Sequence, residues 1–299
     1  MDVIELLKAL LIGIVEGITE WLPISSTGHM ILFDEFIKLQ VSPEFMKMFL
    51  VVIQLGAIMA VIVLYFQKLN PFSSRKDVAE RQATLRLWLK VIVACIPAAV
   101  IGVLLDSWVE ERFSNAVVVA CALILYGIAF IVVERLRKRS DGSRNFYMQG
   151  RHFLSAPLSY TDELASLTLQ RALGIGLFQC LAIIPGTSRS GSTIIGGLIL
   201  GVPRKVAAEF SFFLAIPVMF GWSLLRLGKA FVIDHITVTA TEWGVFVVGV
   251  LVAFVLSVFA IRFLIDFIKK HSFEAFGWYR IALGAVVLVV FAITGSLFS

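Results

Sequence analysis

The sequence predicts an all-α integral membrane protein with an inverted-topology repeat, each half a re-entrant helical hairpin plus three transmembrane helices. Three observations predict it. There are six long apolar spans, there are two apolar segments each broken by a polar loop, and the two broken segments resemble each other. The chain has 299 residues, 59% of them hydrophobic, with a mean hydropathy of +0.92. A soluble domain is about half apolar, and a transmembrane helix needs roughly 20 mostly apolar residues. No low-complexity stretch and no large polar domain interrupts the chain, so residues 1–299 read as one membrane domain.

In chain order, the first broken segment runs Leu6–Leu22, stops at Pro23-Ile24-Ser25-Ser26-Thr27-Gly28-His29 and resumes through Phe33. Long spans follow at about Met46–Phe66, Trp88–Leu105 and Asn115–Val133. The second broken segment runs Ala172–Ile184, stops at Pro185-Gly186-Thr187-Ser188-Arg189-Ser190-Gly191-Ser192-Thr193 and resumes through Leu200. Spans at about Ala207–Leu227, Trp243–Ile268 and Phe276–Phe298 complete the chain. Each half of a broken segment is too short to cross a bilayer. Irregular backbone at membrane depth is tolerated only where protein or a water-filled cavity covers it, so both segments read as re-entrant hairpins. The first residues carry Asp2 and Glu5 where a signal peptide would carry basic residues, and Glu16 and Glu20 interrupt the apolar run that follows.

Ile12-Gly13-Ile14-Val15-Glu16 matches Ile175-Gly176-Leu177-Phe178-Gln179, and Pro23-Ile24-Ser25-Ser26 matches Pro185-Gly186-Thr187-Ser188 with one residue of slippage between the blocks. Repeat 1 covers about 1–135 and repeat 2 about 170–299, with a cytoplasmic linker at about 136–169. Three spans follow each hairpin. An odd number makes the second copy enter from the opposite side, so the two loops meet near the midplane, and interrupted segments at matching positions point to a binding site.

The net charge is +5, but its placement matters more. Lys68, Arg75, Lys76, Arg81, Arg86 and Lys90 follow the first long span; Arg135, Arg137, Lys138, Arg139, Arg144, Arg151 and Arg171 follow the third; Lys269 and Lys270 fall on the same side. Asp34, Glu35, Glu44, Asp106, Glu110, Glu111 and Glu242 fall on the other. The positive-inside rule puts the basic loops in the cytoplasm, so both termini and the mouth of the first hairpin face outward. Basic loops that flank apolar spans exclude nucleic-acid binding as the reason for the charge. Cys95, Cys121 and Cys180 lie in apolar runs without metal-ligand spacing and read as packing residues.

Glu16 and Glu20 are four residues apart on one face of a half-helix. Carboxylates at membrane depth usually face a cavity with a partner, and oxygen-rich sites suit Mg²⁺ or Ca²⁺ with substrate phosphates completing the shell. The pair reads as a divalent-cation site or an acid/base pair. Ser25, Ser26, Thr27 and His29 surround the start of the next half-helix, where free N–H groups and the dipole favour phosphate; Ser25 alone also reads as a helix cap. Arg189 stands in the second loop among glycines and hydroxyls. Its planar fork suits phosphate oxygens and the charge of a transferring phosphoryl group.

Glu16-Gly17-Ile18-Thr19-Glu20, the Ser25–His29 stretch and Pro185–Thr193 resemble the signature motifs of the undecaprenyl-diphosphatase family, also called the bacitracin-resistance family. The resemblance covers essentially the whole chain, including Ala208-Glu209-Phe210-Ser211-Phe212, and no motif position departs from it. It implies hydrolysis of undecaprenyl pyrophosphate to the monophosphate, which recycles the carrier lipid of cell-wall synthesis and confers bacitracin resistance. It also implies a divalent cation and a bacterial cytoplasmic membrane location, with the site open to the outer face. Carried over, Glu16, Glu20, Ser26, His29, Ser188, Arg189, Ser190 and Thr193 form the functional set, and Ser25, Thr27 and Gly186 are further substrate contacts. The resemblance leaves the nucleophile open. Ser26 with His29 as base is expected, because the three-residue offset puts both on one helix face; direct attack by His29 is the alternative. A homodimer is left open.

Two rivals remain to be separated. The other membrane lipid-phosphatase superfamily needs a Ser-Arg-x5-His element, and here that spacing from Arg189 reaches Ile195. A transporter or lipid flippase would explain the repeat alone, but it would move substrate without releasing phosphate, and fold analogy is weak evidence for function.

Overall fold

The computed structural model describes residues 2–148 and 164–295, with side chains outside 139–148. Those residues are helical, with no strand among them. The first half contains α1 (Val3–Thr19), α2 (Ser26–Phe36), α3 (Pro43–Leu64), α4 (Val78–Phe113) and α5 (Ala116–Met148). The second contains α6 (Leu169–Gln179), α7 (Arg189–Ile199), α8 (Arg204–Gly228), α9 (Ala240–Lys270) and α10 (Glu274–Thr294). Among the described residues six helices, α3–α5 and α8–α10, are long and apolar enough to cross a bilayer. The chain is therefore a multi-pass membrane protein. Its lipid-facing surface carries large apolar residues such as Leu104, Leu125, Leu251 and Phe259.

The helix ends follow from local chemistry. Asp2 and Ser42 cap α1 and α3 by accepting from Ile4 N and Phe45 N, and Pro43 opens α3. Asp77 with Glu80 and Thr239 with Glu242 make capping boxes at α4 and α9. The helix α4 is far longer than the expected span at Trp88–Leu105, because a helix extends past the membrane on polar residues such as Glu80, Arg81, Glu110 and Arg112. Likewise α5 runs on to Met148, into the segment expected as linker. Residues 149–163 of that linker, with Arg151, lie outside the described residues, as do the side chains of Arg139 and Arg144.

The halves are interleaved. The first-half helix α1 packs on α9 of the second, and α6 of the second packs on α4 of the first. The two first spans pair, α3 with α8, and the two third spans pair, α5 with α10. Gly13 and Gly176, matched in sequence, both mark these crossings. A Cβ on Gly13 would lie 2.8 Å from the Gly249 carbonyl oxygen, and one on Gly176 would overlap the Ala94 carbonyl. Without a hydrophobic force between helices in lipid, small residues that admit close backbone contact hold such crossings together.

The structure removes the slippage between the two motif blocks. Both short helices after the breaks have 11 residues, Ser26–Phe36 and Arg189–Ile199. Their capping residues are Ser25 and Ser188, so Ser25 corresponds to Ser188 at the same spacing that relates Gly13 to Gly176, and Glu16 to Gln179. Matching by the prolines differs from this by one residue, because Pro23 and Pro185 stand at different distances before their caps.

Candidate active site

Each break ends in a residue that ordinary sterics disfavours. Ser25 has φ 73° and Ser188 has φ 69°, both left-handed for a residue with a Cβ. Each serine hydroxyl accepts from the backbone N–H three residues on, Gly28 N at 3.3 Å and Gly191 N at 3.2 Å. The capping geometry stabilises the strained turn, and residues held this way concentrate at functional sites. The result is two helix N-termini at the tips of two loops, one from each half.

A single carboxylate joins the two tips. The Ser26 hydroxyl donates to Glu20 Oε2 at 3.0 Å, and Arg189 Nη2 donates to Glu20 Oε1 at 3.2 Å. Both charged side chains are less than one-tenth exposed. The other arm of Arg189 donates to the Ser211 carbonyl at 2.7 Å and its hydroxyl at 3.3 Å, while the guanidinium lies over the Trp21 ring. Thr193 shares a 2.7 Å hydrogen bond with Ser211 and so braces the residue that holds Arg189. Ser190 donates to the Glu20 carbonyl at 3.2 Å and lies 3.1 Å from the Ser188 hydroxyl. Thr187 donates back to its own turn at Leu181 and Ile184. Glu16 is buried and its Oε1 has no partner.

His29 points elsewhere. Its Nδ1 lies 2.7 Å from the Ser25 carbonyl and its Nε2 lies 2.7 Å from the Tyr279 hydroxyl, with the two rings stacked. A carbonyl only accepts, so Nδ1 carries the proton; in the neutral tautomer that this defines, Nε2 accepts from the Tyr279 hydroxyl. Both nitrogens are occupied, and no hydrogen bond joins His29 to Ser26. The expected Ser26–His29 pairing is therefore absent from this geometry. Helical spacing of three brings side-chain bases near each other, but the carboxylate reaching back from the end of α1 takes the Ser26 hydroxyl instead. Gly186 lies in the second loop. Its φ of 92° requires glycine, and its carbonyl accepts from Arg280 at 2.7 Å.

Several members of the site come from helices that local motifs did not indicate. Arg280 is fully buried and donates to Pro23 O, Gly186 O and Thr187 O, lacing both loops together, with its guanidinium over Tyr126. An arginine in an apolar span was a readable signal; its targets were not. Ser211 was visible only as part of the Ala208–Phe212 resemblance.

A cavity of about 400 Å³ opens from the Glu20–Ser26–Arg189 cluster. Thr27 and Ser188 border it at the polar end. Its apolar walls are Ala98, Ile101 and Val103 of α4 and Val218, Met219 and Trp222 of α8. Pro97 and Pro217 sit inside those two helices, and Pro217 lines the cavity; a helical proline removes a backbone hydrogen bond and its ring crowds the preceding turn. Cys95 and Cys180 line this cavity as well, and Cys121 is exposed. A second cavity of about 440 Å³ lies between Thr27 and the charged residues Asp34, Glu35 and Lys38. Thr27 borders both.

Two polar loops, paired helix N-termini, a buried carboxylate and an arginine fork thus gather beside an apolar cavity in a multi-pass membrane protein. Comparison with known proteins agrees. The family model described as bacitracin resistance protein BacA matches residues 9–286, and the chain belongs to that family. It is 54% identical over 290 residues to undecaprenyl-diphosphatase 1 of Clostridioides difficile (strain 630), covering 97% of each chain. It is 53% identical over 293 residues to the undecaprenyl-diphosphatase of Desulfitobacterium hafniense, covering 98% of each. The undecaprenyl-diphosphatase of Enterococcus faecalis (strain ATCC 700802 / V583) is 52% identical over 284 residues, with 95% of this chain and 96% of that one covered.

Proposed function

We propose that this protein hydrolyses undecaprenyl pyrophosphate to undecaprenyl phosphate and inorganic phosphate, recycling the cell-wall carrier lipid and conferring bacitracin resistance. The single observation that carries the chemistry is Glu20, which accepts from the Ser26 hydroxyl with one oxygen and from Arg189 with the other. A nucleophile beside a base that is itself oriented by a third group is the arrangement of covalent catalysis. Ser26 Oγ bonds to the terminal phosphorus while its proton passes to Glu20. The bridging P–O bond breaks, and its electron pair leaves with the prenyl phosphate. Water then attacks the phosphoserine, and Glu20 returns the proton to Ser26 Oγ as inorganic phosphate departs. Arg189 stabilises the equatorial oxygens; its Nε has no partner and is available to them. Ser188, Ser190 and Thr193 shape the second loop, and Ser25 and Thr27 the first. His29 acts through the Ser25 carbonyl and holds the tip in place.

The residues present fit a divalent cation, Mg²⁺ or Ca²⁺. Glu16 offers a buried oxygen without a partner, while both oxygens of Glu20 are occupied. Among the described residues no three His, Cys, Asp or Glu side chains gather, so phosphate oxygens and water would complete the shell. Bound there, the ion would neutralise phosphate charge.

For architecture, we propose the inverted repeat with two re-entrant hairpins. What supports it is the exchange of partners, α1 on α9 and α6 on α4, and the equivalence of Ser25 with Ser188. Loop charge supports an outward-facing site in the bacterial cytoplasmic membrane. The apolar cavity walls cover the first part of the prenyl tail. Phosphate release by purified protein from a prenyl pyrophosphate tests the function: turnover abolished by chelator and restored by Mg²⁺ is expected, and substrate movement without phosphate release would favour a transporter.

A further inference from the structure

Gln179 ends α6 and is 3% exposed, yet neither its Nε2 nor its Oε1 has a hydrogen-bond partner. It borders the cavity beside Glu20, Ser188 and Arg189. By the spacing that relates Ser25 to Ser188, it stands in the second half where Glu16 stands in the first, and Glu16 Oε1 is also unpartnered. The neighbouring polar side chains behave differently: Ser190, Ser192, Thr193 and Ser211 are all satisfied within the protein. A primary amide with every hydrogen-bonding position open is costly in an apolar interior, and at the edge of a cavity that cost is relieved by what the cavity holds. Gln54 of α3 brings a second amide to the same cavity from the other half.

We infer that Gln179 is a substrate-binding residue whose amide Nε2 donates to non-bridging oxygens of the bound pyrophosphate. This rests on the site assigned above. A neutral donor suits the position. The pyrophosphate already faces the carboxylates Glu16 and Glu20, so a third carboxylate would repel it. The amide instead adds hydrogen bonds without altering the charge that Arg189 balances.

The test uses the full chain in detergent. Gln179→Met keeps the length of the side chain and removes its donors. KM for a prenyl pyrophosphate should rise about tenfold or more, the loss of one hydrogen bond to a charged group, with kcat within about threefold. In a Ser26→Ala background, the thermal shift given by a methylene-bridged prenyl pyrophosphate analogue should weaken to match, while the ligand-free midpoint stays equal or rises. Gln179→Glu should lose more than Gln179→Met. Unchanged KM and analogue affinity in Gln179→Met would overturn the inference, and so would a fall in ligand-free midpoint with analogue affinity intact. If Gln179→Met does not fold, Gln179→Asn, which retracts the amide by one methylene, must weaken analogue binding. Failure here leaves Ser26 and Glu20 in place, and their failure would appear separately as turnover in Ser26→Ala.

Discussion

Glu20 and Arg189 form a buried ion pair at membrane depth, with Ser26 as a third member. Removing one partner of such a pair leaves an uncompensated charge, at a cost of about 3–5 kcal/mol. Arg189→Lys preserves charge but loses the planar fork that serves Glu20 and Ser211 together. Its turnover should fall about 10²-fold or more with folding retained, measured as kcat beside a thermal midpoint; near-wild-type turnover would remove Arg189 from catalysis. Glu16→Gln should raise the cation concentration needed for half-maximal activity, because an amide is a poorer ligand for a hard cation. An unchanged metal titration would assign Glu16 another task. Glu16, Glu20, Ser26 and Arg189 were legible in the sequence because charge and hydroxyls inside apolar runs are expensive and therefore meaningful. The partners of Tyr279, Ser211 and Arg280 were not, because they lie far away in sequence. The direction of His29 was not legible, since Tyr279 and the Ser25 carbonyl decide it.

The short helices on either side of each break could be read from the sequence, since a polar loop interrupts each apolar run. Their register could not be read from the prolines; the strained caps Ser25 and Ser188 set it. The length of α4 was also hidden, because apolarity marks only the part of a helix inside the bilayer. Small residues at matched positions were visible as a pattern, and the structure supplies their reason. Gly13→Ala and Gly176→Ala push a methyl into the Gly249 and Ala94 carbonyls. Each should destabilise the fold by about 1–3 kcal/mol, the usual cost of overpacking. Gly228→Ala, where a Cβ would meet nothing within 4 Å, should be neutral or slightly stabilising. Thermal midpoints in one detergent check all three, and equal midpoints would refute the close-approach account.

At the scale of the whole molecule, each half supplies what the other lacks. The first brings Ser26 and Glu20, the second brings Arg189 and Arg280, and the partner exchange between α1, α9, α6 and α4 holds them in contact. The proposed opposed insertion of the two hairpins, with the basic loops in the cytoplasm, would place the first mouth outward. Cysteines at Asp34 or Glu35 should react with an impermeant thiol reagent in intact cells, and cysteines at Lys76 or Lys138 only after the membrane is opened. The reverse pattern would invert the topology. The most direct test of the central claim, that Ser26 activated by Glu20 attacks the phosphorus, is to trap the phosphoenzyme during turnover. The account predicts a phosphoserine, stable in acid and labile in base, that is absent from Ser26→Ala. An acid-labile phosphoenzyme that persists in Ser26→Ala would contradict it and transfer the attack to His29.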